Sequence, residues 1–245
     1  SVTTVHSPTI SSASPRFKEK ISIKNLSHSY GRLNVLKNTE FEITKGERVC
    51  LLGKSGSGKS SLLDILSGII DPISGQIYVD GQKFKSLGSV KWRKSVAYMS
   101  QSSFLINDTI LSNIAIGVDK KNVDKKKAIK AIKFANLTDE HGKIFSLDLG
   151  VGENGSKLSG GQKQRVALAR CYYRDADILL FDEATSALDE TTEKLILKNI
   201  LSFDKSKTIV FATHNKNLSK MFGKTFLVKG GEILLVERDI ISDSK

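Results

Sequence analysis

The stretch VCLLGKSGSGKSSLLDIL, Val49 to Leu66, decides the fold. Val49, Cys50, Leu51 and Leu52 make a short run apolar on both faces, which predicts a strand covered on each side. Gly53 to Ser60 fits G-x-x-x-x-G-K-[ST], in which glycines let successive backbone amides turn inward around phosphate oxygens. Ser61, Leu62, Leu63, Ile65 and Leu66 then carry helix-period apolar spacing, so an anion held by the loop rests on a helix N-terminus. A Gly/Ser-rich turn that merely caps a helix would not need the strand before it. The expected cradle is Gly53, Lys54, Ser55 and the amides of Gly56, Ser57, Gly58 and Ser61. Lys59 is expected on the outer phosphates and the Ser60 hydroxyl on Mg²⁺.

A second stretch, ILLFDEATSALD from Ile178 to Asp189, opens with four residues apolar on both faces, as in a central parallel strand. Asp182 at its carboxyl end is expected in the Mg²⁺ shell. Glu183 is expected to orient and deprotonate the water that attacks a γ phosphate. Adjacent carboxylates on an extended chain point to opposite sides, which favours separate roles.

Between these stretches stands LSGGQ, Leu158 to Gln162. Ser159 can cap a helix whose buried stripe is Val166, Ala169 and Tyr173. Two glycines weaken a first turn, so they call for a reason. Without side chains there, the first amides and the positive end of the macrodipole lie open to an anion.

In this order the three strings resemble the nucleotide-binding domain of an ATP-binding cassette (ABC) protein of exporter type, from about Ile21 to Glu237. The resemblance implies ATP and Mg²⁺ as ligands and an ATPase active as a head-to-tail dimer. Gln101 in YMSQSSF resembles the glutamine that touches metal and attacking water. His214 in FATHNKN resembles the histidine that contacts the γ phosphate, which makes Glu183, His214 and Gln101 the implied catalytic group. Ser60, Gln101 and Asp182 are the implied metal set. Tyr30 in HSYG resembles the aromatic that stacks on adenine, with Val35 beneath it. Leu158, Ser159, Gly160, Gly161, Gln162 and Asp189 would serve the nucleotide of a second copy, Ser186 to Asp189 resembling a loop that crosses the dimer interface.

Phe104, Leu105, Asn107, Asp108, Thr109, Ile110, Asn113 and Ile114 resemble the exporter segment that meets the transmembrane domain, and Gly152 to Gly155 resemble the exporter V-G-E-x-G loop. Two departures stand out. Leu149 and Gly150 precede that loop where a threonine-like residue is usual, and Asn215 follows His214 where many exporters carry arginine.

The implied fold is α/β: a P-loop NTPase core with a small antiparallel β subdomain (Ile21 to Ile43 and Gly75 to Phe84, turning at Asp80-Gly81) and an inserted α-helical subdomain at about 89–158. Strands at Thr208 to Ala212, Thr225 to Val228 and Glu232 to Val236 close it, the last two joined through Lys229, Gly230 and Gly231. Residues 1–18, rich in Ser, Thr and Pro, are expected to link residues 19–245 to a fused upstream membrane domain of about six helices.

At 245 residues the chain suits one large domain with a subdomain. No apolar stretch reaches the roughly 20 residues of a spanning helix, and the resemblance puts the domain at the cytoplasmic face of a membrane. Cys50 and Cys171 are expected reduced and buried. The net charge of +12 draws heavily on Asp119 to Lys133, whose Lys120, Lys121, Lys125, Lys126, Lys127, Lys130 and Lys133 fit an amphipathic helix with a solvated basic face. Aromatics for base stacking are missing from that stretch, so no nucleic acid is expected. DNA-maintenance ATPases carry the same motifs but place a long coiled coil between the first two, and translation-associated cassettes come two to a chain. About a hundred residues without sustained heptads separate Lys59 from Leu158, and no motif recurs.

Overall fold

The structure, a computed structural model, describes residues 17–84, 89–102, 104–139 and 141–236. Most of the expected linker and the last nine residues lie outside them. Phe17, at the end of that expected linker, is fully buried, and the Lys45 ammonium donates to its carbonyl. The amides of Lys18, Glu19 and Lys20 donate to the Asp80 carboxylate, so the packed chain already includes Phe17.

Two strands open the fold as an antiparallel pair, β1 (Lys20–Tyr30) and β2 (Leu33–Thr44). β3 (Arg48–Leu52) leads into α1 (Lys59–Ser67). β4 (Ser74–Val79) and β5 (Gln82–Lys83) return to β1, giving a four-stranded sheet in the order β2-β1-β4-β5. Asp80 and Gly81 both have positive φ, the pair of left-handed residues that a tight I′ hairpin requires.

Next come α2 (Val90–Ser95), β6 (Val96–Met99), α3 (Ile110–Ile114) and α4 (Lys125–Phe134). α5 (Gly160–Arg174), β7 (Ile178–Asp182), α6 (Glu190–Ser202), β8 (Thr208–Thr213), α7 (Lys216–Ser219), β9 (Lys224–Lys229) and β10 (Glu232–Val236) complete the chain. The second sheet has the order β10-β9-β3-β8-β7-β6, parallel except for β10.

Two details differ from the sequence reading. β6 lies within the span expected to be helical, yet it pairs with β7 as the edge strand of the core sheet; Val96 and Met99 are buried, and a four-residue run gives too little periodicity to reveal it. The basic helix is shorter than Asp119 to Lys133. Asp119 caps a 3₁₀ turn at Lys120–Asn122, and Asp124 then caps α4 by accepting from the Lys127 amide. Each aspartate competes for local amides and restarts the chain.

Alternate residues of the central strands feed two cores. Val49, Leu51, Ile178, Leu180, Val210 and Ala212 pack with Leu62, Leu63 and Leu66 of α1 and with the antiparallel sheet. Cys50, Leu52, Leu179, Phe181, Ile209 and Phe211 pack with Val166 and Leu168 of α5 and Ile196 and Ile200 of α6. Two-sided burial fixes register, because a slip of one residue would exchange the two cores. Both cysteines are free and buried, and burial pushes their thiols up to about 12.

The start of β3 is clamped by Arg48, whose guanidinium donates to the carbonyls of Phe203 at 2.7 Å, Lys207 at 3.0 Å and Asp204 at 3.1 Å in the connection from α6 to β8. Arg48→Met keeps the stem but orphans those carbonyls. It is expected to lower unfolding free energy by about 2 kcal/mol in urea titration, and a loss below about 0.5 kcal/mol would remove the clamp from the account.

Candidate functional site

β3, β8 and β7 end at the same edge, and their last bonds run beyond the strands. The Gly53 amide donates to the Thr213 carbonyl at 3.2 Å, and the Glu183 amide to the Ala212 carbonyl at 3.0 Å. The loop after β3 is pressed onto neighbouring backbone: a Cβ at Gly53 would stand 2.5 Å from the Val228 carbonyl oxygen, and one at Gly58 2.4 Å from that of Val35. Gly58 also has φ +107, a backbone that only glycine adopts easily.

α1 begins on Gly58 with no side-chain cap, so its first amides lack any protein side chain to answer them. The Ser57 hydroxyl is buried without a partner. Lys59 is buried to 4% exposure and reaches back to the carbonyls of Gly53 at 2.8 Å and Lys54 at 2.9 Å. Burial lowers its pKa while the carboxylates of Glu183 and Asp182 raise it. An uncapped helix end, an orphaned hydroxyl and a buried ammonium fit a phosphate chain. Lys54, Ser55 and Gly56 line the loop's exposed side.

Across from the loop, Asp182 is buried at the end of β7, where the nearby Ser60 hydroxyl works against the effect of burial on its carboxyl. Burial raises its pKa above the ordinary Asp value, with the Glu183 and Asp64 carboxylates adding to the rise. A hydroxyl and a carboxylate facing one another are the hard oxygen donors that Mg²⁺ prefers.

Glu183 departs from the sequence reading. Its φ is +48, so the two acids are separated by a left-handed turn of backbone and not by the alternation of an extended strand. The turn sends the Glu183 carboxylate to His214, whose Nδ1 lies 3.0 Å from Oε1, and to Gln101, whose Nε2 donates to Oε2 at 3.4 Å. The Gln101 amide nitrogen is thus engaged with Glu183. A polar recess of about 220 Å³ opens between Glu183, His214 and Asn215 on one side and Thr185 and Glu193 on the other.

Tyr30, half exposed at the end of β1, stands edge-on to the His28 ring with centroids 4.9 Å apart. Val35 is mostly buried beside Gly58, which puts β2 against the loop.

The bonds of Leu158 to Gln162 go elsewhere. Ser159 accepts from the Gln162 amide, and the Gln162 side chain accepts from the Ser159 amide, a complete capping box at the start of α5. A Cβ at Gly161 would stand 3.1 Å from the Ala187 carbonyl, whereas at Gly160 only the Ala187 methyl lies near, at 3.8 Å. Gly161 therefore has a packing reason that the sequence did not reveal, and Gly160 is the open position. Asp189 caps α6 by accepting from the Thr192 amide. Among the described residues no hydrogen bond or ion pair joins this group to Lys59, Ser60 or Asp182.

Gln164, missed from sequence, sits buried on α5 and bonds the loop after Glu183. Its signal was a lone polar residue on the helix's apolar stripe.

Residues 36–186 match the family model described as ABC transporter. The chain belongs to the ABC transporter family. It has the ABC ATPase fold: a bacterial Atm1-family ABC exporter with ATP bound superposes with a TM-score of 0.84 at 33% identity, over 93% of this chain and 40% of that one. The ATP-dependent lipid A-core flippases of Francisella tularensis subsp. tularensis (strain FSC 198) and Desulfotalea psychrophila are each 35% identical over 215 and 228 residues. These alignments cover 87% and 93% of this ABC chain, which spans 35% and 39% of the two flippases.

The buried Asp182 gives this ABC domain a pH signature. A carboxyl held above its unfolded pKa contributes most to stability below the ordinary Asp range, and that contribution is lost as pH rises through the raised value. Without nucleotide or Mg²⁺, Asp182→Asn is expected to melt above the parent at about pH 7.5, the gap closing toward about pH 4. A parent that melts higher at neutral pH would contradict the buried-charge reading.

Proposed function

We propose that this chain hydrolyses ATP in a head-to-tail dimer and so powers export or flipping of a substrate across a membrane. The observation that carries the reading is the Glu183 carboxylate, held between His214 and Gln101 on the edge that also presents Lys59, Ser60 and Asp182. Tyr30 and Val35 flank the adenine, and the amides from Gly53 to Ser61 hold the phosphates. Lys59 sets its positive charge against the β and γ phosphates.

Ser60 and Asp182, with the amide oxygen of Gln101, would hold Mg²⁺. Once bound, the ion would supply positive charge to offset the negative charge of the phosphates. Glu183 takes the proton of the attacking water as its oxygen bonds the γ phosphorus; the bond to the β-phosphate oxygen breaks, leaving ADP and inorganic phosphate. His214 holds the Glu183 carboxylate in place, and Gln101 orients the water.

A second copy completes each site. The chain has two helix N-termini suited to phosphate but one lysine loop, one acidic pair directly after a four-residue apolar strand run, Asp182-Glu183, and one switch histidine. Two-fold symmetry lets each copy lend Leu158 to Gln162, with Asp189, to the other's ATP. The Ser159 oxygen accepts from its own helix, which leaves its hydroxyl proton free to donate to phosphate.

Among the described residues no helix is long and apolar enough to cross a membrane. In this reading a transmembrane domain of about six helices lies upstream and this domain at the cytoplasmic face; membrane exporters and flippases more than twice this length support a fused membrane domain. The exporter segment supports docking there: Arg170 donates to the carbonyls of Asn113 and Phe104, and the Phe104 ring is 64% exposed. These relatives do not favour a DNA-maintenance or translation role.

Glu183→Gln cannot take the proton, so turnover should fall at least about a hundredfold while ATP still binds and locks a dimer visible by light scattering. Turnover within about threefold of the parent would remove Glu183 as base. A mixture tests the shared site. Lys59→Ala and Gly160→Asp should each be inactive alone, since every site contains one damaged half. Mixed, one site gathers both lesions and the other none, so ATPase activity should return in part. A dead mixture, with mixed dimers formed and Gly160→Asp still binding ATP, would count against that site acting alone.

A further inference from the structure

Gln164 is 6% exposed on the inner face of α5, and its whole amide is used on the loop that follows β7. Nε2 donates to the Glu183 carbonyl at 3.4 Å and to the Ser186 hydroxyl at 3.1 Å, and Oε1 accepts from the Ala187 amide at 3.1 Å. The Ser186 amide in turn donates to the Glu183 carbonyl at 3.1 Å. These bonds hold the peptide that follows the left-handed residue whose φ aims the base. Left-handed backbone at a non-glycine residue persists only where its surroundings hold it. One turn earlier on the same helix, Gly161 packs against Ala187 and Leu188. The start of α5 and the loop carrying the base are therefore joined at two successive levels, one by packing and one by hydrogen bonds.

We propose that Gln164 is a positioning residue: it ties the start of α5, which caps the partner's nucleotide, to the conformation of Glu183 in this chain's own site. The proposal rests on the shared-site reading. An anion engaged at the start of α5 fixes that helix, and Gln164 transfers the constraint to the peptide that follows Glu183. Occupancy of one site then sets the base of the other. Gln164 touches no substrate in this account, so its loss should alter turnover and cooperativity while leaving affinity alone.

Gln164→Leu keeps the volume and removes all three bonds, and Ser186→Ala removes one acceptor from the same group. The measurements are ATP affinity with magnesium chelated, and kcat and the Hill coefficient for ATP with magnesium present. In Gln164→Leu, affinity should stay within about twofold, kcat fall about tenfold or more, and a Hill coefficient above one in the parent drop toward one. The double variant should lose little beyond Gln164→Leu alone, because both changes break one network. An unchanged kcat and Hill coefficient would overturn the proposal, as would affinity falling in step with kcat, the mark of a merely structural residue. If Gln164→Leu does not fold, Ser186→Ala decides: kcat and Hill coefficient must both fall while affinity holds. A parent with a Hill coefficient of one, and a Glu183→Gln protein that forms no dimer with ATP, would overturn the shared-site reading itself. A cooperative parent and an equally cooperative Gln164→Leu would overturn this proposal alone.

Discussion

Two hydrogen bonds hold the three loops of the site in common register: Gly53 to the Thr213 carbonyl and Glu183 to the Ala212 carbonyl. Each extends a parallel pairing one residue past the strand end. β8 is the shared partner, lying between β3 and β7, so the phosphate loop and the acids meet across the strand that delivers His214. Two-sided burial makes that arrangement rigid. Ligands in open parallel sheets gather at the carboxyl ends of strands for the same reason, since only there do loops from neighbouring strands converge.

The charges at this edge are poorly compensated by the protein alone. Burial lowers the Lys59 pKa and raises that of Asp182, so each group is held in an environment that disfavours its charged form. Lys59 answers with carbonyls, and at Asp182 the Ser60 hydroxyl and the Lys59 charge only partly offset the rise. A ligand bringing phosphate to the ammonium and a divalent cation to the carboxylate relieves both at once. That coupling of two buried, opposite charges supports the proposed pairing of metal with nucleotide at this edge.

Much of this was legible because the informative residues do their work locally. The apolar run at Val49, the glycine spacing and the helix period after Ser60 specify strand, loop and helix without reference to the rest of the chain. Asp80-Gly81 and Gly230-Gly231 announce hairpins through their left-handed φ values. What stayed hidden depends on contacts distant in sequence. β6 is too short to show a period and is a strand because β7 pairs with it. The left-handed turn at Glu183 has no local signature, since glutamate gains nothing from it; the bonds of Ala212, Gln164 and Ser186 impose it. Gly161 looked like an opening for an anion and proves to be also a packing contact with Ala187.

The two helix ends offered to phosphate differ in how they are finished. α5 carries a full capping box, with Ser159 and Gln162 satisfying each other's backbone, whereas α1 starts on a glycine with no side-chain cap. A capping box stabilises a helix by about 1 kcal/mol or more without any ligand. α5 can therefore stand complete in a free monomer, while the start of α1 has amides that only a ligand or water can answer. That asymmetry fits the proposed shared site, in which the phosphate loop holds the nucleotide and the start of α5 completes it from the partner. In the proposed dimer a nucleotide held by α1 would meet the second positive helix end, so the nucleotide itself would be a principal bond between the two chains.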